Sequence, residues 1–283
     1  MSIERSRITD AAVAIFLWVV SSAILLLVVS LLFNILWHGL PHVSWSFLVD
    51  TPQEAGRSGG IGPILVSSVL ILTVCVAFAV PLGVGTAAFL TEYCKFSQRT
   101  NRGIQGSLDI LSGVPSIVFG LFGNIFFCKI LGLGFSILSG GLTLACMVLP
   151  VIVRTSEMSL RGVSPEIRQA IESLGLSKSG ALFHILLPIA VPGITAGVIL
   201  SVGRSLAEAA ALIFTSGYVD RMPSSLSDSG RALAIHIYDL SMNVPGGDKN
   251  AYASAVVLIA LLLAMSTLTR ILVRITFQRT RIC

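Results

Sequence analysis

Charge-free stretches recur along this chain at 11–49, 58–91, 110–128, 130–153, 179–203 and 250–269. Each is close to or longer than the roughly 20 residues a helix needs to cross a hydrocarbon core. Such runs are too long for strands, and helices satisfy their own backbone polar groups in lipid. The pattern predicts spans at about 11–37, 62–91, 106–129, 136–153, 183–215 and 251–273. The expected fold is an all-α membrane protein with six transmembrane helices in one domain over 11–273. Tails 1–10 and 274–283 flank it. The first run has no clear small-residue cleavage site, and its 27 residues exceed the apolar region of a signal peptide. It reads as a retained span.

The connecting segments carry their own signals. In 38–61, Pro, Gly and aromatic residues mark an outer loop, with Trp37 and Trp45 suited to a membrane interface. In 154–182, Ser164 followed by Pro165 is a helix start, and Gly175 is a stop. The helix between them puts Ile167, Ala170 and Leu174 on one face. It either lies on lipid or docks a partner. In the loop 216–250, a short helix over 231–242 presents Leu233, Ile237 and Leu240 on one face. It either covers an entrance, meets an external partner or merely connects. Pro63, Pro81, Gly83, Gly85, Gly113, Pro115, Gly120 and Gly123 lie within the second and third spans. Such residues permit close helix packing or break a helix beside a pathway. Packing is the simpler reading for most of these glycines.

Composition agrees with the pattern. Of 283 residues, 54% are hydrophobic and 12% charged, half the charge of a typical soluble domain. Mean hydropathy is +0.89. The net charge of +5 is distributed by side. Arg5, Arg7, Lys95, Arg99, Arg102, Arg154, Arg161, Arg168, Lys178, Arg274, Arg279 and Arg281 fall on one side of the proposed spans. Arg57, Arg221, Arg231 and Lys249 fall on the other, among six carboxylates. The positive-inside rule places both termini in the cytoplasm. The basic excess is a topology signal and argues against nucleic-acid binding. The five cysteines show no CxxC spacing and indicate neither a disulfide framework nor a metal site.

One stretch, "SVGRSLAEAAALIF" at 201–214, holds two charges in an apolar span. Arg204 and Glu208 are four apart, which on a helix puts both on one face. Ionisable groups in a membrane are costly and usually face an interior or a water-filled cavity. The pair either lines a pathway or fixes helix packing. Arg154 either extends an anion path or anchors the fourth span. Asp109 is expected to pair with Arg102 or a neighbour, His184 to be interfacial, and Glu92 and Lys95 to be ordinary end-of-helix charges. No GxxxxGK[ST] loop and no catalytic constellation are present. The chain reads as a non-enzyme.

The loop sequence "QAIESLGLSKSGALFHILLP", 169–188, resembles the cytoplasmic signature of binding-protein-dependent ABC importer permeases. Ala170, Gly175, Ile185, Leu187 and Pro188 fall at its spacing. Gln169 stands for the usual Glu and Ile171 for the second Ala. "LSGVPSIVFGLFG" (111–123), "VPLGVGTAAFLTEYCK" (80–95) and "GRSLAEAAALIFTSG" (203–217) are similar to segments of PstA-type phosphate permeases. Ala207 stands for Gly and Ala209 for Thr. "ALAIHIYDLS" favours the PstA-type over its PstC-type sister.

The resemblance implies a type I importer permease fold whose coupling helix enters a groove on an ATPase subunit. It implies a PstC-type second permease, a PstB-type ATPase dimer carrying ATP and Mg, and a PstS-type phosphate-binding protein, in a bacterial inner membrane. Phosphate then explains the charges. An Arg fork binds its oxygens in pairs. Glu208 would neutralise Arg204 while the pathway is empty and accept a hydrogen bond from protonated phosphate, which sulfate lacks. Phosphonate, sulfate or molybdate permeases, ion-coupled secondary transporters and membrane sensors are the alternatives.

Overall fold

The computed structural model describes the backbone of residues 2–93 and 98–278, and the side chains of 13–93 and 102–271. Lys95 lies outside the described residues. The chain is helical almost throughout. Among the described residues the only strands are β1 (Pro52–Gln53) and β2 (Ser58–Gly59), an antiparallel hairpin in the first loop pairing Pro52 with Gly59.

Helix α1 (Ser2–Gly39) is followed by the short α2 (Trp45–Val49). Then come α3 (Gly62–Ala88), which ends in a π-helical turn to Tyr93, and α6 (Ile137–Arg161). The helical run Lys178–Leu206 contains α8 (Lys178–Ala181), a π turn and α9 (Leu187–Leu206). The last helix is α12 (Asp248–Gln278). Among the described residues, five helices are long and apolar enough to cross a membrane by themselves: those containing Val13–His42, Gly62–Tyr93, Ile137–Arg161, Lys178–Leu206 and Asp248–Ile271.

The expected third span is not one straight helix. Helix α4 (Gln98–Gly113) and helix α5 (Ser116–Gly123, continued by a π turn to Ile130) meet at 101°. Pro115 has no N–H to donate, and its ring pushes Val114 out of the helical region. Pro115 itself is extended at φ −59°, ψ 142°. Together the two pieces are long and apolar enough for a sixth crossing, as one broken span or as a re-entrant loop.

The core is built on α3, α6 and α9, and small residues set its spacing. A Cβ at Gly141 would meet Val74 at 2.5 Å, and one at Gly83 would meet Ile152 at 2.6 Å, so α3 and α6 run parallel in close contact. Gly197 faces Thr155 and Gly193 faces Ser159, so α9 runs antiparallel against α6. Close backbone approach is how helices associate where lipid removes the hydrophobic drive. Gly83, Gly120 and Gly123 are therefore packing residues, as expected, whereas Gly85 and Gly113 face open space. Helix α1 is apolar all round and its spanning window is wholly exposed. It joins the bundle at one end, where Gly39 backs onto Tyr252 of α12 and the His38 ring lies 5.3 Å from that of Tyr252.

The loop after the fifth span folds onto the bundle. Carbonyls of Thr215, Leu226 and Asp228 accept from the N–H groups of Ser136, Leu138 and Ile137, satisfying the start of α6. Helix α11 (Leu233–Met242) begins two residues later than expected. Leu233 and Leu240 are buried, and the Leu233 N–H donates to Ser68 Oγ of α3 at 2.8 Å.

Candidate functional site

Arg204 and Glu208 do not share a helix face. Helix α9 ends at Leu206, residues 207–209 are non-helical, and a four-residue helix α10 (Ala210–Ile213) follows. Each charge is served by a helix end. Arg204 stands in the last turn of α9, where the unpaired carbonyls favour a cation. Glu208 Oε1 accepts from the Ala211 N–H at 3.2 Å, capping α10. Among the described residues no ion pair joins the two side chains, and Arg204 pairs with no carboxylate. Arg204 is exposed, on a stripe of α9 with Ala196 and Leu200, while Glu208 is half-buried.

The break runs against local preference. Ala207, Ala209 and Ala210 are the strongest helix formers available, with neither Gly nor Pro beside them. Tertiary structure overrides propensity here. Val114, at the second break, and Ala209 pack against the same extended buried cluster, which includes Leu144 and Leu212. Conflicts between local and global preference concentrate at functional or strained positions.

Arg154 sits on α6 and turns toward α4. Its guanidinium donates to Asp109 Oδ1 and approaches the Gln105 carbonyl at 3.5 Å. Asp109 is thus paired across helices with Arg154, not with Arg102.

The loop helix α7 (Pro165–Ser173) starts and stops as its sequence predicts. Ser164 precedes it, although its hydroxyl does not cap the backbone; it bonds Glu166 instead. Hydrogen bonds from the Glu166 backbone and from Ser164 hold the exposed Glu166 carboxyl below its ordinary pKa. At the other end Gly175 adopts φ +60°. Its N–H donates to the Glu172 carbonyl at 3.1 Å and that of Leu176 to Ile171 at 3.4 Å, closing a Schellman turn.

Of the apolar stripe Ile167, Ala170 and Leu174, only Ile167 turns into the bundle. Ile167 and Ile171, four apart, pack into the bundle beside Leu90, Leu160 and Leu182. Gln169 and Ala170 are exposed, and Leu174 is 72% exposed. Leu174, Leu176 and Phe183 are exposed apolar side chains at the tip of this loop. Ile185, Leu187 and Pro188 are half-buried where this tip returns to α9. His184 is exposed, with its ring nitrogen bonded only to the Gly180 carbonyl at 3.0 Å.

Sequence reasoning missed the polar network behind α7. Glu92 is not an ordinary end-of-helix charge: it is buried and accepts from Arg168 Nη1 at 3.0 Å. Arg168 Nη2 donates to the Leu160 carbonyl at 2.7 Å. Glu157, also buried, pairs with Arg161 at 2.7 Å and accepts from Gln105 at 2.9 Å. Only the low number of acidic residues near the apolar runs hinted at these roles.

Comparison with known proteins agrees with this architecture. Residues 79–282 match the family described as binding-protein-dependent transport system inner membrane component. The chain is 30% identical over 279 residues to the probable ABC transporter permease protein YqgI of Bacillus subtilis, covering 93% of this chain and 95% of that one. It is 37% identical over 214 residues to the phosphate transport system permease protein PstA of Mycobacterium leprae, covering 74% and 68%. A chain of the inward-facing MetNI methionine ABC transporter superposes with a TM-score of 0.53 at 16% identity, over 78% of this chain and 94% of that one, a likeness of fold alone. Matched by the family model over most of its length, the chain belongs to the binding-protein-dependent transport system inner membrane component family.

Proposed function

We propose that this chain is a PstA-type subunit forming half of the translocation pathway of a phosphate importer. A PstC-type subunit supplies the other half, and a PstS-type protein delivers phosphate. A PstB-type ATPase dimer, which binds the ATP and Mg, drives the cycle through α7. Both termini lie in the cytoplasm. The observation that carries the reading is Arg204: a permanently charged fork in an apolar span, held at a helix break, exposed and without a carboxylate partner. An anion with several acceptor oxygens suits it. The likeness to phosphate permeases supports phosphate over phosphonate, sulfate or molybdate.

In this reading Arg204 binds the anion transiently, and the carbonyl end of α9 keeps that binding weak enough to release. Glu208 stands within one short turn, with an oxygen to accept a phosphate proton. Arg154, neutralised by Asp109, is a lesser member of the path. The test is radiolabelled phosphate uptake in cells lacking this gene, complemented with wild type or Arg204→Gln at matched membrane levels. Wild type restores uptake and the variant loses at least about tenfold, near 1.4 kcal/mol of transition-state stabilisation. Normal uptake by the variant would remove Arg204 from the path. No phosphate uptake by wild type would leave a permease for another solute.

A further inference from the structure

We propose that Arg168 is a positioning residue that makes α7 and the ends of α3 and α6 one rigid body, so that displacement of α7 moves the second and fourth spans together. This rests on the reading of the chain as a permease driven by an ATPase through α7, and is independent of the solute carried.

Three elements meet at this guanidinium. Arg168 belongs to α7, Glu92 to the π turn that ends α3, and Leu160 to the last turn of α6. The two Nη atoms divide between them, at 3.0 Å and 2.7 Å. The side chains of Glu92 and Arg168 are only 10% and 23% exposed. Burying such a pair costs desolvation that its attraction barely offsets, and apolar residues of similar volume hold as well or better. Attachment of α7 does not need the pair either, because Ile167 and Ile171 on the same face already pack into the cluster. Those contacts are non-directional and let a helix slide or roll. A planar fork gripping two partners in different helices fixes direction and register. What the ion pair adds over the apolar contacts is rigidity along the line of force.

The node extends further. On α6, Glu157 holds Gln105 and Arg154 holds Asp109, both on α4. The arm of the bent third span is therefore fastened to the same end of α6. A push on the exposed tip of α7 reaches α3, α6 and α4 through named polar contacts.

The test uses the full complex purified with its ATPase, in a background lacking the five native cysteines. Spin labels are placed at exposed positions on α7 (Ser173) and α3 (Leu82). Their separation is measured without nucleotide and after trapping with ATP and vanadate. With Glu92 intact the two distributions coincide. In Glu92→Gln, which leaves Arg168 without its carboxylate, trapping shifts or broadens the distribution. Solute moved per ATP hydrolysed then falls roughly fivefold or more in proteoliposomes. Should Glu92→Gln fail to assemble, the double variant Glu92→Leu with Arg168→Met removes both charges of the pair, and the same shift is expected. Coincident distributions in an assembled variant would overturn the proposal, as would a shift already present in wild type. The distance measurement needs no solute, so a wrong assignment of phosphate, seen as absent wild-type uptake, is read separately.

Discussion

Arg204 and Glu208 lie on opposite sides of a helix end, the first in the final turn of α9 and the second capping α10 through the Ala211 N–H. Each is stabilised by a backbone dipole of opposite sign, so neither needs the other. This arrangement leaves the guanidinium able to accept an anion without first breaking an ion pair.

The two roles of Glu208 separate by substitution. Glu208→Gln keeps an oxygen to accept from Ala211, so folding is unchanged within a few tenths of a kcal/mol, while its lost charge alters discrimination between protonated and unprotonated anions. Glu208→Ala also removes the cap and costs about 1 kcal/mol. Competition of sulfate against labelled phosphate uptake checks the first effect, and thermal unfolding in detergent checks the second. Unchanged selectivity in Glu208→Gln would confine this residue to capping.

The membrane fold was legible because spans are long apolar runs, and the loop helix because Ser164, Pro165 and Gly175 are local signals. The bend at Val114–Pro115 was less so: a residue before proline avoids the helix, yet Pro81, Pro150 and Pro192 stand inside continuous helices. The break at 207–209 was not, since its alanines favour the helix that tertiary packing interrupts. Which side of α7 turns inward was not legible, because Ile167 is compatible with two apolar stripes. One runs through Ala170 and Leu174, the other through Ile171, and only the position of Leu90 and Leu160 decides between them. Glu157 with Arg161 is a local i,i+4 pair, but the contacts Arg154–Asp109, Arg168–Glu92 and Glu157–Gln105 join different helices across 45 to 76 residues of chain, beyond any local pattern.

Glycines at the α3–α6 contact differ sharply from those at the surface. Gly141→Ala sets a methyl 2.9 Å from the Ile71 carbonyl and against Val74, which has no room to yield. Overpacking of this kind costs about 1–3 kcal/mol. Gly85→Ala meets nothing within 4 Å, and it gains helix propensity of about 1 kcal/mol. Unfolding midpoints of the two purified variants should move in opposite directions.

Gly175 ends α7 at a positive φ with open space where a Cβ would sit. Gly175→Ala therefore meets a conformational cost of about 1–2 kcal/mol and no clash. Asn tolerates this region better, so Gly175→Asn should recover part of the loss. The expected result is a graded fall in co-purifying ATPase and in uptake, in the order Gly, Asn, Ala. Equal recovery for all three would mean that the exposed tip docks without a fixed turn.

His236 on α11 confers sensitivity to acid on the loop after the fifth span. Its ring is fully buried against Gly56, and among the described residues neither nitrogen has a protein partner. Burial first, then the neighbouring Arg231, pushes its pKa down to about 4, with Asp239 opposing. The unfolded chain titrates near 6.5. Between these values the unfolded state binds a proton that the folded state refuses, so stability is complete above about 6.5 and falls toward 4. The slope approaches about 1.4 kcal/mol per pH unit. His236→Leu fills a similar volume without a titrating group. Thermal unfolding in detergent at pH about 7.5 and about 5 should show a smaller acid-induced drop for the variant than for wild type. Equal drops would mean that α11 admits water to the ring before it protonates, and that carboxylates elsewhere set the acid limit.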